Sequence, residues 1–144
     1  MAFRGQFDYS LDAKNRLNVP PKFRPAFSGG LVLAKWFEPC IALWTPGGFD
    51  ALLEGYFGEM PRTGSQRRKL TRYFAHNAWD AELDASGRVT LNPKLIEHAG
   101  IDRAVIVAGN EDHIEVWEPA RWSEDQKSLS AEIPELGETV GHPS

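Results

Sequence analysis

The feature that most restricts how this chain can fold is that it repeats itself. "LDAKNR" at Leu11–Arg16 returns as "LDASGR" at Leu83–Arg88, 72 residues later. The match widens to "FDYSLDAKNRLNVPPKFR" (Phe7–Arg24) against "WDAELDASGRVTLNPKLI" (Trp79–Ile96). At an offset of 73, "LVLAKWFEPCIALWTPGGF" (Leu31–Phe49) aligns with "AVIVAGNEDHIEVWEPARW" (Ala104–Trp122), setting Val32 against Val105 and Trp44 against Trp117. Two blocks in the same order indicate a duplicated unit of about fifty residues.

Each unit has the same coarse plan. An opening strand, Phe7–Leu11 or Trp79–Leu83, leads into the hexapeptide turn. A short strand follows at Leu17–Val19 or Val89–Leu91. Pro21 and Pro93 then stand at the first position of a helix, with Asn92 a good N-cap for the second. These helices stop at Gly29-Gly30 and Gly100. Next comes a hairpin, Leu31–Trp36 with Ile41–Trp44, or Ala104–Ala108 with Ile114–Trp117. The alternation in Ile114-Glu115-Val116 predicts one buried and one wet face. Further helices start at Pro46 and Pro119. Phe49, Leu52, Leu53, Tyr56, Phe57 and Met60 give the first a full apolar face, whereas the second has Trp122, Leu129 and few other anchors.

A linker helix with Leu70, Tyr73 and Phe74 on one side and Arg67, Arg68, Lys69 and Arg72 on the other joins the units. The expected layout is a first unit over 3–60, a basic linker over 61–78, a second unit over 79–128 and a disordered acidic tail over 129–144. A unit with so few strands has little core of its own, so two copies are expected to complete each other in one pseudo-symmetric body.

Charge separates the halves. Residues 1–78 hold 11 Lys/Arg and 6 Asp/Glu, a net +5, while residues 79–144 hold 5 and 14, a net −9. A polyanion would favour the first half. Cys40 is the only cysteine, so no intrachain disulfide forms and a reducing compartment fits. The opening MAFRGQFDYSLD has no apolar secretory segment, and no apolar run approaches a membrane span, so a cytoplasmic protein without a membrane partner is expected.

Catalytic and metal motifs do not emerge. His76, His98, His113 and His142 stand at no ligand spacing with Cys40 or one another, so no metal or cofactor is expected. No phosphate-cradling loop or nucleophile elbow occurs. Asp12 and Asp84 each precede an Arg by four residues, which holds the carboxylate ionised and unsuited to general acid work. An enzyme is therefore not expected, and Asp12, Asp84 and Arg88 are read as residues that tie and orient their turns.

With the doubled Asp-x-x-x-Arg, the Pro-Lys after each copy and the basic helix between them, the chain resembles the MraZ family from about Phe3 to Trp122. The resemblance implies an α+β, β-rich fold. It consists of two tandem AbrB-like swapped-hairpin units forming one pseudo-symmetric barrel with peripheral helices. It also implies a transcriptional regulator, nucleoid-associated, that binds double-stranded DNA at G-rich direct repeats before the division and cell-wall gene cluster as a homo-oligomeric ring. The family's DNA-contacting loop maps onto Asp12–Arg16, which makes Lys14 and Arg16 contact residues. Asn15 stands where the family usually has Gly. Asn is the best-tolerated replacement where φ is positive, and its amide adds a donor for DNA.

Arg16 suits guanine because its fork matches O6 and N7, and Lys14 suits phosphate. Arg4, Lys22 and Arg24 are further phosphate candidates. The second copy, with Ser86-Gly87 and acidic neighbours in sequence, reads as scaffold. The Arg67–Arg72 face suits either DNA or the acidic half of a neighbouring copy. The alternative reading is an antitoxin-type AbrB-like module that binds DNA and a protein partner.

Overall fold

The structure, a computed structural model, describes residues 2–141. The elements run β1 (Gln6–Ser10), β2 (Arg16–Asn18), a 3-10 helix (Pro21–Phe27), β3 (Leu31–Lys35), β4 (Ile41–Trp44), α1 (Pro46–Phe57) and α2 (Ser65–His76). The second half gives β5 (Ala78–Ala81), β6 (Arg88–Thr90), α3 (Pro93–Ala99), β7 (Ala104–Gly109), β8 (Ile114–Trp117) and α4 (Pro119–Gly141). Local chemistry explains the helix ends. Asn92 accepts from the Lys94 N–H at 2.8 Å, Thr45 accepts from the Gly48 N–H at 3.0 Å, and Gly100 closes α3 at φ 66°. The first of the paired short helices is 3-10 where its counterpart is α, and it carries Pro25 inside it, which cannot donate to an α-ladder.

The halves interleave rather than stand apart. A six-stranded antiparallel sheet has the order β1-β7-β8-β4-β3-β5, and a two-stranded sheet pairs β2 with β6. Exchanging each strand for its counterpart reverses the first order and leaves it unchanged, so a pseudo-twofold axis passes between β8 and β4. The same axis passes between β2 and β6, where Leu17 faces Val89. β1 and β5 are the edges of the large sheet. Between the two sheets lies one core that draws on both halves: Leu17, Val19, Phe23, Leu31, Leu33, Val89, Leu95 and Val107 among others. Neither half could bury this surface alone, which is the physical content of the duplication.

Three expectations need correction. β3 pairs Val32 with Trp44, whereas β7 pairs Ile106 with Trp117, so the counterpart of Val32 is Ile106 and not Val105. Leu31 and Val105 both face the shared core, while Val32 packs on the outer side. A one-residue slip exchanges the faces of a strand, and β3 hides it in sequence because both of its faces are covered.

Second, Glu115 is not wet. It is 8% exposed and accepts from Trp117 Nε1 at 2.9 Å and Asn110 Nδ2 at 2.8 Å, and His113 Nε2 lies 3.0 Å away. His113, 4% exposed, stacks on Trp44 at 4.5 Å and has Asp112 at 2.8 Å from its other nitrogen. Burial opposes charge on this pair, but the hydrogen-bonded carboxylates outweigh it and raise the His113 pKa, and His113 and Trp117 lower that of Glu115.

Third, the segment from 129 is not a disordered tail: α4 continues through it to Gly141. Its residues from Lys127 to Thr139 are exposed, and Pro134 lies inside it, so neither burial within this chain nor a run of strong helix formers accounts for this stretch. His142 lies outside the described residues.

Candidate nucleic-acid interface

The two repeated turns are built alike, atom for atom. In the first, Asp12 Oδ1 accepts from the backbone N–H groups of Lys14 and Arg16, each at 2.9 Å, and Oδ2 accepts from Arg16 Nε at 2.6 Å. The Asn15 N–H returns to the Asp12 carbonyl at 3.0 Å. In the second, Asp84 Oδ1 accepts from Ser86 and Arg88 N–H at 2.9 Å, Oδ2 accepts from Arg88 Nε at 2.9 Å, and Gly87 N–H returns to Asp84. A carboxylate that bonds two backbone N–H groups ahead of it fixes the turn, and the turn requires a positive φ at its fourth residue of five. Asn15 meets this at φ 57° and Gly87 at φ 78°. The Arg16 backbone N–H, its guanidinium and the Lys14 N–H hold Asp12 down to about 2 from 3.8, and the equivalent donors lower Asp84. Neither group is a proton donor near neutrality.

The pairing of β2 with β6 brings the two turns together. The Leu91 N–H donates to the Asn15 carbonyl at 2.9 Å, the Val19 N–H to the Gly87 carbonyl at 3.0 Å, and Arg88 Nη1 lies 4.0 Å from Asp12 Oδ2. Asp12, Lys14, Asn15, Arg16, Asp84 and Arg88 therefore share one edge. Arg24 joins them from the 3-10 helix. Its Nε donates to the Val19 carbonyl at 2.9 Å, and its guanidinium lies against Gly87, where any Cβ would collide with it. The second turn has no lysine, yet it carries a cation supplied by the first half.

Two expected members lie elsewhere. Arg4 is joined to Glu111 at 2.9 Å, beside the bridge of Phe3 with Glu111, at the opposite end of β1 from the turn. Lys22 sits 5.0 Å over the Phe7 and Phe23 rings. Sequence reading also missed one residue. Arg103 bonds the Leu11 carbonyl at 3.1 Å from the start of β7, at the base of the first turn. Its signal was non-local: only the β1–β7 ladder brings position 103 to position 11.

Lys14 and Asn15 are exposed, and Arg16 is half-buried with its Nε engaged; among the described residues no acceptor takes its terminal nitrogens. Burial pushes the Cys40 thiol far above its ordinary range, which leaves it unsuited to nucleophilic work. Among the described residues no cluster of three His, Cys, Asp or Glu stands ready for a metal ion, and no described helix is long and apolar enough to cross a membrane.

Comparison with known proteins agrees with the doubled architecture. The family model described as "MraZ protein, putative antitoxin-like" matches twice, over residues 2–73 and 74–135, with the division inside α2. A "Transcriptional regulator MraZ" of Nocardioides sp. is 35% identical over 100% of this chain and 99% of its own length. Proteins of the same name are 33% identical in Lactobacillus delbrueckii subsp. bulgaricus (96% of each chain) and 32% identical in Clostridium acetobutylicum (94% of this chain, 99% of that one). With both copies matched in order and over nearly their full length, this chain belongs to the MraZ family.

Proposed function

We propose that this chain is a sequence-specific DNA-binding transcriptional regulator whose Asp12–Arg16 turn enters the major groove. The observation that carries this reading is the single edge on which Lys14, Arg16, Arg24 and Arg88 meet, with Asp12 and Asp84 bonded into the turns beside them. Asp12 engages Arg16 through Nε, so the two terminal nitrogens can donate to guanine O6 and N7. Such a bidentate pair discriminates by roughly 1–3 kcal/mol. Lys14 takes phosphate, Asn15 offers its amide, and Arg24 and Arg103 extend the phosphate track. Arg88 and Asp84 orient the second turn.

The target is a set of G-rich direct repeats before the division and cell-wall genes. The protein acts in the cytoplasm, on the nucleoid, as a homo-oligomeric ring, and no catalysis is involved. Repeated sites and several reading loops belong together, because tethering raises overall affinity by about 10²–10⁴-fold. We read the two sheets as one barrel of swapped-hairpin units, 3–60 and 79–128, joined through 61–78. The interleaved strand order and the single shared core support that reading.

The test is titration of the wild-type, Arg16→Ala and Arg88→Ala chains onto a duplex with G-rich direct repeats across a range of salt, with mass followed by light scattering. Arg16→Ala is expected to bind about 10- to 100-fold more weakly at unchanged mass, and Arg88→Ala to keep most of the affinity. Unchanged binding by Arg16→Ala defeats the reading loop. Loss of binding by a folded, assembled Arg88→Ala chain reverses the roles of the two turns.

A further inference from the structure

Large apolar side chains are exposed at five positions among the described residues, and they fall into two groups. Phe37 and Tyr56 form the first. Phe37 stacks on Tyr73 of α2 at 6.2 Å, and Tyr56 lies 5.4 Å from Phe74. This aromatic patch borders the cations of α2, a helix with Arg67, Arg68, Lys69 and Arg72 and no acidic residue. None of those four forms an ion pair among the described residues; Arg67 and Arg68 bond only the carbonyls of Met60 and Thr63.

The second group is on α4. Leu129, Ile133 and Leu136 follow helical spacing and make one apolar stripe. Glu132, Glu135 and Glu138 accompany it, and no cation occurs from Ser128 to Gly141. The pseudo-symmetry shows what this stripe lacks. At the offset of β4 and β8, Leu129 and Ile133 correspond to Tyr56 and Met60. In the first half the chain turns back after α1 and covers that region with α2, whose Phe74 packs on Tyr56 and Phe57. In the second half α4 simply runs on, and among the described residues nothing covers its end.

We infer that the apolar, acidic end of α4 docks on the aromatic, basic α2 face of a second copy of this chain. Charge selects this occupant. Pairing α4 with another α4 would bring three glutamates from each copy together, whereas α2 offers uncompensated cations beside an apolar patch. Because the two surfaces differ, the contact is heterologous, and heterologous contacts that close produce rings. The inference rests on the oligomer proposed above and assigns its interface.

Light scattering and native mass measurement test it on four full-length chains. These are the wild type, E132K/E135K/E138K on α4, K69E/R72E on α2, and one chain with all five changes. Each reversal alone is expected to weaken assembly by about tenfold or more, as several ion pairs become repulsions at once. The chain with both reversals is expected to recover assembly, since the charges again oppose. Leu129→Ser with Ile133→Ser, its helix content checked by circular dichroism, is expected to weaken assembly as well. A wild type that assembles while all variants assemble equally overturns this interface and leaves the oligomer standing. A wild type that is monomeric at every concentration, or that binds only an unrelated protein in stoichiometric amount, overturns both. A K69E/R72E chain with wild-type mass but lost DNA binding assigns α2 to DNA and overturns the contact.

Discussion

Cys40 and Ala42 of the first half correspond to His113 and Glu115 of the second, and Lys14-Asn15 of the first to Ser86-Gly87 of the second. The backbone treats these pairs as equals: Ala42 lies directly opposite Glu115 across the pseudo-twofold axis, and both turns carry the same bonds. The side chains do not. The second half holds a buried, hydrogen-bonded His113–Glu115 pair where the first holds small apolar groups, and a bare glycine where the first holds an exposed amide. What the halves share therefore belongs to folding, and what separates them is free to serve something else. The Asp-Arg clamp is the sharpest case. Present in both turns with the same bonds, it cannot distinguish one turn from the other.

The largest effect is expected where the buried pair is broken. Glu115→Ala takes the acceptor from Trp117 Nε1 and Asn110 Nδ2 and leaves His113 with only the exposed Asp112, and should cost about 3–5 kcal/mol. His113→Cys with Glu115→Ala writes the first half's residues into the second, removes both charges and should recover most of that loss. Denaturant midpoints against pH give a second handle. The His113 pKa is raised, so its contribution is full below 6.5 and fades as pH rises through the raised value. The Glu115 pKa is lowered, so its contribution is full above 4.5 and fades as pH falls. The double variant should lose the alkaline limb. If it remains as unstable as Glu115→Ala, the pair is not the origin of the cost.

Gly87 comes next. An L side chain at φ 78° costs roughly 1–2 kcal/mol, and a Cβ there also collides with Arg24. Gly87→Ala should therefore destabilise by about 2 kcal/mol in chemical unfolding. It should also weaken DNA binding if the displaced Arg24 guanidinium is part of the phosphate track. An unfolding midpoint equal to wild type would mean that Arg24 and the turn can both shift at no cost.

These contrasts show where the sequence was legible. The turns, the proline-initiated helices and the Asn92 and Gly100 caps are local, and five or six adjacent residues state each one. The register of β3 against β7 was hidden because Leu31, Val32, Leu33 and Ala34 are all buried, so no alternation marked the inward face. The contact of Arg24 with Gly87, and that of Arg103 with Leu11, depend on ladders between distant segments, so no spacing announces them. Arg4 and Lys22 looked equivalent to Arg24 as charges on the same segment. Their partners, Glu111 and the Phe7 and Phe23 rings, come into view only in three dimensions.

A smaller effect should follow from Lys14→Ser, which gives the first turn the second turn's residue. Lys14 is exposed, and among the described residues its side chain has no bonded partner, so stability should stay within about 0.5 kcal/mol of wild type. The slope of log affinity against log salt should fall by about 1 for each turn engaged, as expected when one phosphate contact is lost. An unchanged slope would remove Lys14 from the interface.

The smallest expected effect is the most informative about how the two turns differ. Asn15→Gly makes both turns carry glycine at the position of positive φ. Asn tolerates φ 57° better than other side chains, so the backbone gains little, and the added freedom of the unfolded chain offsets part of that gain. Stability should move by no more than about 0.5 kcal/mol. The Asn15 side chain is exposed and takes part in no hydrogen bond among the described residues; only its backbone N–H and carbonyl are engaged. The turn therefore does not need the amide. If affinity for a G-rich repeat also stays unchanged, Asn15 is a substitute that the turn accepts for its backbone alone. If affinity drops while stability holds, the amide touches DNA, and the two turns differ in function at two adjacent positions instead of one.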